Sequence, residues 1–456
     1  MSLQFITGGS GAGKSEYLSR LVCEESVRRP HDNFIVVVPE QYTMETQKKL
    51  VHMHSRKGIL NIDVVSFERL AYKVFEELGG GNRPVLDDTG KNLIVRRVLE
   101  KEKKKLDYFG SSIEKTGFVS ELKSVISELL QYGITPQQLG EIGENVKEKQ
   151  QLSAKLKDIR LVYKEFMAFL STNYITSEEI LDVLCGLVEK SKLIAGSEII
   201  FDGFTGFTPI QYKLMRLLLV YSKDIKISVT IDKKERPTGH EGWNNLFFMS
   251  KEMMNRLIAI CEEEGINVDD TACVDRDTNY RYEGAKDLAY LERNLFRYKG
   301  GVYTGTPENI RIYEGSNPKE ELQYIVSEIL QLTRKEGFRY RDIAVVTADL
   351  ETYGKVAANM MKQNDIPAFL DYKRSVAANP YVEMLCSALE IVEKGYPYDT
   401  MFRYLRTGLT GISRHDIDIL ENYCLAVGIR GSRAWHEPWK KKMKRSTYQP
   451  ELETLN

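Results

Sequence analysis

The chain has 456 residues, 42% of them hydrophobic and 28% charged, with 64 Lys and Arg against 65 Asp and Glu. That length and apolar content exclude a disordered chain and predict two or three domains, and a net charge of −1 excludes nucleic-acid binding through a global positive field. Six scattered cysteines without a C-x-x-C pair exclude a disulfide framework or zinc site, and with no secretory leader or membrane-length apolar run the expectation is a soluble cytoplasmic protein without membrane contact.

Leu3 to Thr7 reads as a short buried strand, and Glu16 to Arg28 as a helix with Tyr17, Leu18, Leu21 and Val22 at helical spacing. Between them Gly8, Gly13, Lys14 and Ser15 satisfy G-x-x-x-x-G-K-[ST]. In such a loop the glycines let backbone N–H groups point at a phosphate, and the helix adds the positive end of its dipole. The lysine then reaches the β and γ phosphates and the hydroxyl ligates Mg²⁺. The candidate nucleotide ligands are therefore Gly8, Gly9, Ser10, Gly11, Ala12, Gly13, Lys14 and Ser15. The bland alternative is a glycine-rich turn with no ligand.

Further strands are expected at Phe34–Val38 and Ile62–Val65, and later at Glu198–Phe201 and Ile225–Ile231. From Thr89 to about Lys192 the pattern is helical, with Phe118, Leu122, Val125, Ile126, Leu129 and Leu130 on one stripe and Leu156, Ile159, Val162, Tyr163, Phe166 and Leu170 on another. This reads as an all-helical insertion into a parallel α/β domain, which a largely helical stretch from Asn244 to Phe296 closes. Near Asn309 a second unit begins: strand "NIRIYEG", a helix over Pro318–Lys335, strand "DIAVVTA", a helix from Glu351, strand "PAFLD", then helices. Its β-α-β-α order predicts a second parallel sheet. The expected domains are 1–88 and 195–305 for the first α/β body, 89–194 for the insertion and 306–456 for the second body. The chain stops without a finished element, which suggests a fragment; its basic run, Lys440 to Arg445, reads as a solvated helix face.

Phosphate-loop hydrolases place a Mg²⁺-positioning Asp at the end of an apolar strand and often follow it with a Glu that orients the attacking water. "SEIIFDG" supplies the strand and Asp202, and the next residue is Gly203. Ser15 and Asp202 are thus the expected Mg²⁺ positions, and the usual group for cleavage is lacking. Read structurally, Asp202 is a turn residue before a glycine.

"FDGFTGFTPIQ" resembles the superfamily 1 helicase motif D-E-F-Q-x-[ST]-x-x-x-Q, which Asp202, Phe204, Thr208 and Gln211 fit while Gly203 and Thr205 replace its Glu and Gln. Where such helicases carry a D-x-x-Q phosphate sensor, "DKKERPTG" has Glu235. Taken with "VPEQYT", "VVSFERLAYKVFEELGG", "GFRYRDIAVV" and "ENYCLAVGIRG", the chain resembles the AddB family of AddAB helicase–nucleases (RexB in some bacteria) along nearly its whole length and in order. The resemblance implies a P-loop, RecA-like helicase domain with an all-helical insertion, followed by the start of a second RecA-like domain. It implies ATP and Mg²⁺ as cofactors, and an A subunit as heterodimeric partner. It also implies a role in double-strand break repair and homologous recombination: reading single-stranded DNA for a recombination hotspot, Chi, while the A subunit drives unwinding from a duplex end. The family's C-terminal nuclease domain with its iron–sulfur cluster has no counterpart here, so no catalytic residues are assigned.

Loops after the second and third strands cross the carboxyl edge of such a sheet, where a single strand needs phosphate donors and flat faces for bases. The family uses these loops for DNA, and Gln41, Thr43, Phe67, Arg69, Tyr72 and Phe207 are the expected positions. Tyr72 equally fits the core beside Phe75, Phe67 fits a helix anchor, and Arg69 is hardest to explain as packing. The competing functions are an active superfamily 1 motor, a P-loop kinase, or a scaffold in which nucleotide only holds the first domain together.

Overall fold

The computed structural model describes residues 1–79, 84–115, 117–146, 149–232, 234–235, 242–274, 276, 279–297, 300–371 and 376–442. The chain forms two compact units, Met1–Arg311 and Ile312–Asn456. In the first, chain order gives β1 (Ser2–Gly8), α1 (Lys14–Arg28), β2 (Asn33–Val37), α2 (Thr43–Met53), β3 (Ile62–Val65) and α3 (Phe67–Leu78). A helical stretch follows: β4 (Val85–Leu86), α4 (Asp88–Glu102), α5 (Phe118–Gln131), α6 (Pro136–Asn145), α7 (Gln150–Asn173), β5 (Ile175–Thr176), α8 (Ile180–Cys185) and α9 (Lys192–Ala195). The sheet then resumes with β6 (Ser197–Phe201), α10 (Pro209–Tyr221), β7 (Asp224–Thr230), α11 (Phe248–Glu264), β8 (Asn267–Val268), β9 (Ala272–Cys273) and α12 (Lys286–Asn294).

The main sheet runs β3-β2-β6-β7-β1-β8, with β9 also on β1, and every strand pair described is parallel. Alternation along each strand sorts side chains to two faces. Ile6, Phe34, Val36 and Ile200 pack with Leu18 and Val22 of α1 and Leu50 of α2. Leu3, Phe5, Ile35, Val37, Ile199, Phe201, Ile225, Ile227 and Val229 face α3, α8, α10 and α11. Helices on both faces leave the strands' carboxyl ends as the open rim where such sheets take ligands.

Helices α4, α5, α6 and α7 enclose a separate core of Val95, Leu99, Ile126, Val162, Phe166 and Leu170. The short parallel pair β4–β5 brings the two ends of this stretch together. Asp158, 1% exposed, accepts the N–H groups of Asp107, Tyr108 and Phe109 at 3.1, 2.8 and 2.9 Å, satisfying a loop that has no ladder of its own.

Two features depart from the sequence reading. The Asn244–Phe296 stretch contributes β8 and β9 to the sheet, too short to show an alternating pattern. The second unit holds α13 (Pro318–Lys335), α14 (Leu350–Gln363), α15 (Pro380–Lys394), α16 (Tyr398–Leu405), α17 (Arg414–Val427) and α18 (Ser432–His436), but no paired strand among its described residues. The expected second parallel sheet is therefore not found among the described residues. The β-prone segments around Ile312, Val346 and Phe369 leave those side chains 96%, 92% and 91% exposed. A strand needs neighbours to satisfy its peptide groups, and apolar composition alone does not supply them. Residues 443–445 of the basic run lie outside the described residues. No described helix is long and apolar enough to cross a membrane.

Candidate functional site

The loop leaving β1 begins at Gly8, whose carbonyl accepts the Ile231 N–H at 3.2 Å as β7 ends beside it. Gly11 and Gly13 take left-handed backbone angles, φ 72° and 99°, so the loop turns back on itself before α1 starts at Lys14. Lys14 Nζ donates to the carbonyls of Gly8 and Gly9, each at 2.9 Å, which holds the ammonium over the loop. Ser15 is exposed in the first turn of α1.

A segment that sequence reasoning missed closes the other side of this loop. Asn279, 5% exposed, donates from Nδ2 to the Ser10 carbonyl at 3.1 Å, and the Arg281 N–H reaches the Gly11 carbonyl at 3.4 Å. A β-carbon on Gly11 would lie 2.6 Å from Arg281 Cβ, and one on Gly13 would lie 3.3 Å from the Tyr280 ring. Arg276 stacks its guanidinium over Tyr280 at 3.8 Å. An arginine and a half-exposed aromatic ring thus stand against a glycine-rich turn at a helix start. The clue in the sequence was "NYRY", an unusual pairing of ring and cation, but nothing local connects it to a loop some 270 residues earlier.

Asp202 follows β6 on the same rim, one strand beyond β7 from the glycine loop. Its carboxylate Oδ1 accepts the Ser228 hydroxyl at 2.5 Å, and its N–H donates to the Val37 carbonyl at 3.1 Å. Gly203 sits at φ 82°. Thr208 and Gln211 have a local job: they form the capping box of α10, Gln211 Oε1 accepting the Thr208 N–H at 2.9 Å, with Pro209 at the first helical position. Of "DKKERPTG", Asp232, Lys234 and Glu235 are described; Lys233 and Arg236 onward lie outside the described residues. Glu235 is held by Lys251, a fully buried lysine, at 2.6 Å and by Arg297 at 3.6 Å, while Arg297 also bonds Asp232 at 3.1 Å.

The six remaining candidates lie on the other half of the rim, at the ends of β2, β3 and β6, and are not alike. Gln41 is exposed in a 3-10 turn. Thr43 is 5% exposed and donates to the Glu40 carbonyl, so its hydroxyl starts α2. Ser66 caps α3 by accepting the Arg69 N–H. Phe67 is 7% exposed and packs against Phe201, Phe204 and Phe207 at 5.8, 5.4 and 6.0 Å between ring centroids. It is an anchor for α3, and Phe204 and Phe207 are the half-buried rings nearer solvent. Arg69 and Tyr72 are exposed together one turn apart, and with Gln47, Leu60, Val64 and Lys73 they line a groove of about 460 Å³ along the edge of β3. Arg69 Nε pairs with Glu40 at 3.1 Å. Partial desolvation, then the charges of Glu40 and Glu178, push the Glu68 carboxyl above its ordinary range. This half of the rim is therefore not a positive patch.

Fold and rim together define the class: an α/β protein with a parallel sheet, helices on both faces, and its conspicuous loops gathered at the strands' carboxyl ends. Residues 5–292 match the family model described as ADDB, N-terminal. The chain is 42% identical over its full length to the B subunit of the ATP-dependent helicase/deoxyribonuclease of Lachnoclostridium phytofermentans, covering 40% of that protein. It is 37% identical over 96% of its length to the protein of the same name in Symbiobacterium thermophilum, and 36% over 98% to that in Clostridioides difficile, covering 38% and 39% of them. The chain belongs to the AddB family and spans about two fifths of the length of these relatives.

Proposed function

We propose that this chain is the ATP-binding, DNA-scanning N-terminal part of an AddB protein, working with an A subunit in an ATP-dependent helicase/deoxyribonuclease for break repair and recombination. The carrying observation is that the rim divides into two halves that share β6: a glycine loop flanked by Arg281 and Tyr280 on one side, exposed Arg69, Tyr72, Gln41 and half-buried Phe207 on the other.

The residues present fit a magnesium nucleotide. The left-handed glycines form a cradle that β-carbons would fill, Lys14 supplies an ammonium beside it, Ser15 a hydroxyl, and Asp202 a carboxylate. Tyr280, half exposed with Arg276 stacked on its ring, and the cationic Arg281 stand beside the loop. Mg²⁺, when bound, supplies charge neutralisation between phosphate oxygens. On this reading the described residues bind and orient: the position after Asp202 offers no side chain to orient a water, and the Glu235 carboxylate is tied to Lys251 and Arg297. These features favour a nucleotide-holding protein over a motor.

On the DNA half, the carboxylates of Glu40 and Glu68 beside Arg69 favour holding a strand by stacking and base-edge hydrogen bonds rather than by phosphate neutralisation. Recognition of a hotspot sequence, Chi in the family, is proposed from the resemblance to AddB proteins, and this chemistry is compatible with it. The test is fluorescence anisotropy of a labelled single strand with Mg-ATP present and absent. Binding that weakens in Arg69→Ala and changes little between low and moderate salt supports the reading; no binding by the unmodified chain, or steep salt dependence untouched by Arg69→Ala, overturns it.

A further inference from the structure

Ser228 is the one residue of β7 that reaches the carboxylate of Asp202 with a side chain among the described contacts, and nothing in the helicase-like motifs pointed to it. Registers explain the meeting. Ser228 is level with Ile6 of β1, and Phe201 with Ile227, so Asp202 and Ser228 emerge on the sheet face that α1 covers. That is the face on which the helix after the glycine loop begins.

The hydroxyl is 4% exposed and makes two bonds. It donates its only proton to Asp202 Oδ1 at 2.5 Å and accepts the Gly203 N–H at 3.3 Å, which fixes its rotor. One carboxylate oxygen is thereby engaged, the ring of contacts holds the side chain in one orientation, and Oδ2 is left for another partner. A polar residue among Ile225, Ile227 and Val229 needs a reason in this buried strand.

We infer that Ser228 is a positioning residue for Mg²⁺: it orients Asp202 so that the second oxygen faces the cation of a bound nucleotide. The inference rests on the Mg-ATP reading of the glycine loop. Residues that orient a metal-binding carboxylate from behind typically change metal affinity by about 10- to 100-fold.

The test uses the full chain and the fluorescent analogue mant-ATP, titrated in Mg²⁺ and in EDTA. Ser228→Ala should lower affinity about 10- to 100-fold in Mg²⁺ and leave the EDTA value unchanged, and Ser228→Thr, which keeps the hydroxyl, should restore it. An unchanged Mg²⁺ affinity in Ser228→Ala, or an equal loss in both buffers, overturns the inference. Should Ser228→Ala fail to fold, Ser228→Cys carries the same comparison, since a thiol keeps the shape and weakens the bond. Mant-ATP affinity that is unchanged in Lys14→Ala overturns the reading of the loop itself, separately from Ser228.

Discussion

At Gly203 the backbone adopts φ 82°, and a β-carbon there would make only ordinary contact, 3.5 Å to Pro39 Cδ. Conformation, not space, therefore selects glycine. Gly203→Glu should destabilise the chain by about 1–2 kcal/mol, read as a lower urea midpoint, and should not create ATP turnover; robust hydrolysis by that variant would contradict the non-motor reading. Lys14 rests on two loop carbonyls, which on the proposed reading it exchanges for phosphate oxygens when nucleotide binds. Lys14→Ala should cut mant-ATP affinity by roughly 10- to 100-fold, the range of one charge-assisted hydrogen bond, with an unchanged melting temperature. Arg69 is paired with Glu40 at the surface. Glu40→Gln should release it and tighten single-strand binding by a few-fold, on the order of one exposed ion pair; weaker binding would mean that Glu40 itself contacts DNA.

The elements owe their ends to local chemistry. Ser66 and Asp87 cap α3 and α4, and Gly79 ends α3 in the left-handed region. The passage from α12 to residue 309 depends instead on one carboxylate. Asp287 accepts N–H groups from Asn309 at 2.7 Å and Glu308 at 2.9 Å, the Asn309 side chain at 2.8 Å, and the Leu288 N–H. The Asn309 N–H above all, then its side chain and the other N–H groups, outweigh desolvation and hold the carboxyl down at about 2, from 3.8. A carboxyl whose folded value lies below its unfolded one stabilises above the unfolded value and loses that contribution as pH falls through the folded one. Asp287→Asn should therefore lower the urea midpoint at pH 6, with the difference from the unmodified chain shrinking between about pH 4 and 2. A gap that stays constant across that range would show that the tether does not act through charge.

On the scale of the whole molecule, each unit has its own cores, and the second carries apolar side chains that nothing described covers. On α15, Tyr381, Leu385, Leu389 and Val392 form an exposed stripe at helical spacing, 58%, 46%, 74% and 71% accessible, while Ser387 and Ile391 are buried behind it. Exposed apolar side chains such as these, and Val346 and Phe369 elsewhere in the unit, favour self-association. The double variant Val346→Lys and Phe369→Lys should bind less of the dye ANS and resist aggregation on warming, with little change in melting temperature. Unchanged dye binding would locate the exposed apolar surface elsewhere.

Much of the first unit was legible. Strands at Ile62–Val65 and near Phe34, Ile199 and Ile227, and in the second unit the helix Pro318–Lys335, follow from periodicity within a few residues of each other, which local chemistry dictates. The stretch Gly8–Ser15 is legible as a glycine loop between strand and helix for the same reason: its residues are consecutive. By sequence Phe67 fits either a DNA contact or a helix anchor, and burial makes it an anchor; Thr208 and Gln211 carry a motif's spacing and cap a helix. By itself the sequence determined the alternation of strand and helix, the glycine loop, and the lack of a carboxylate after Asp202. Only the tertiary structure decided that Asn279–Arg281 close that loop, that Ser228 holds Asp202, that Glu235 is tied down, and that the second unit's β-prone segments stay unpaired. These depend on strand order and register, which bring together residues tens to hundreds of positions apart, and no local pattern encodes them.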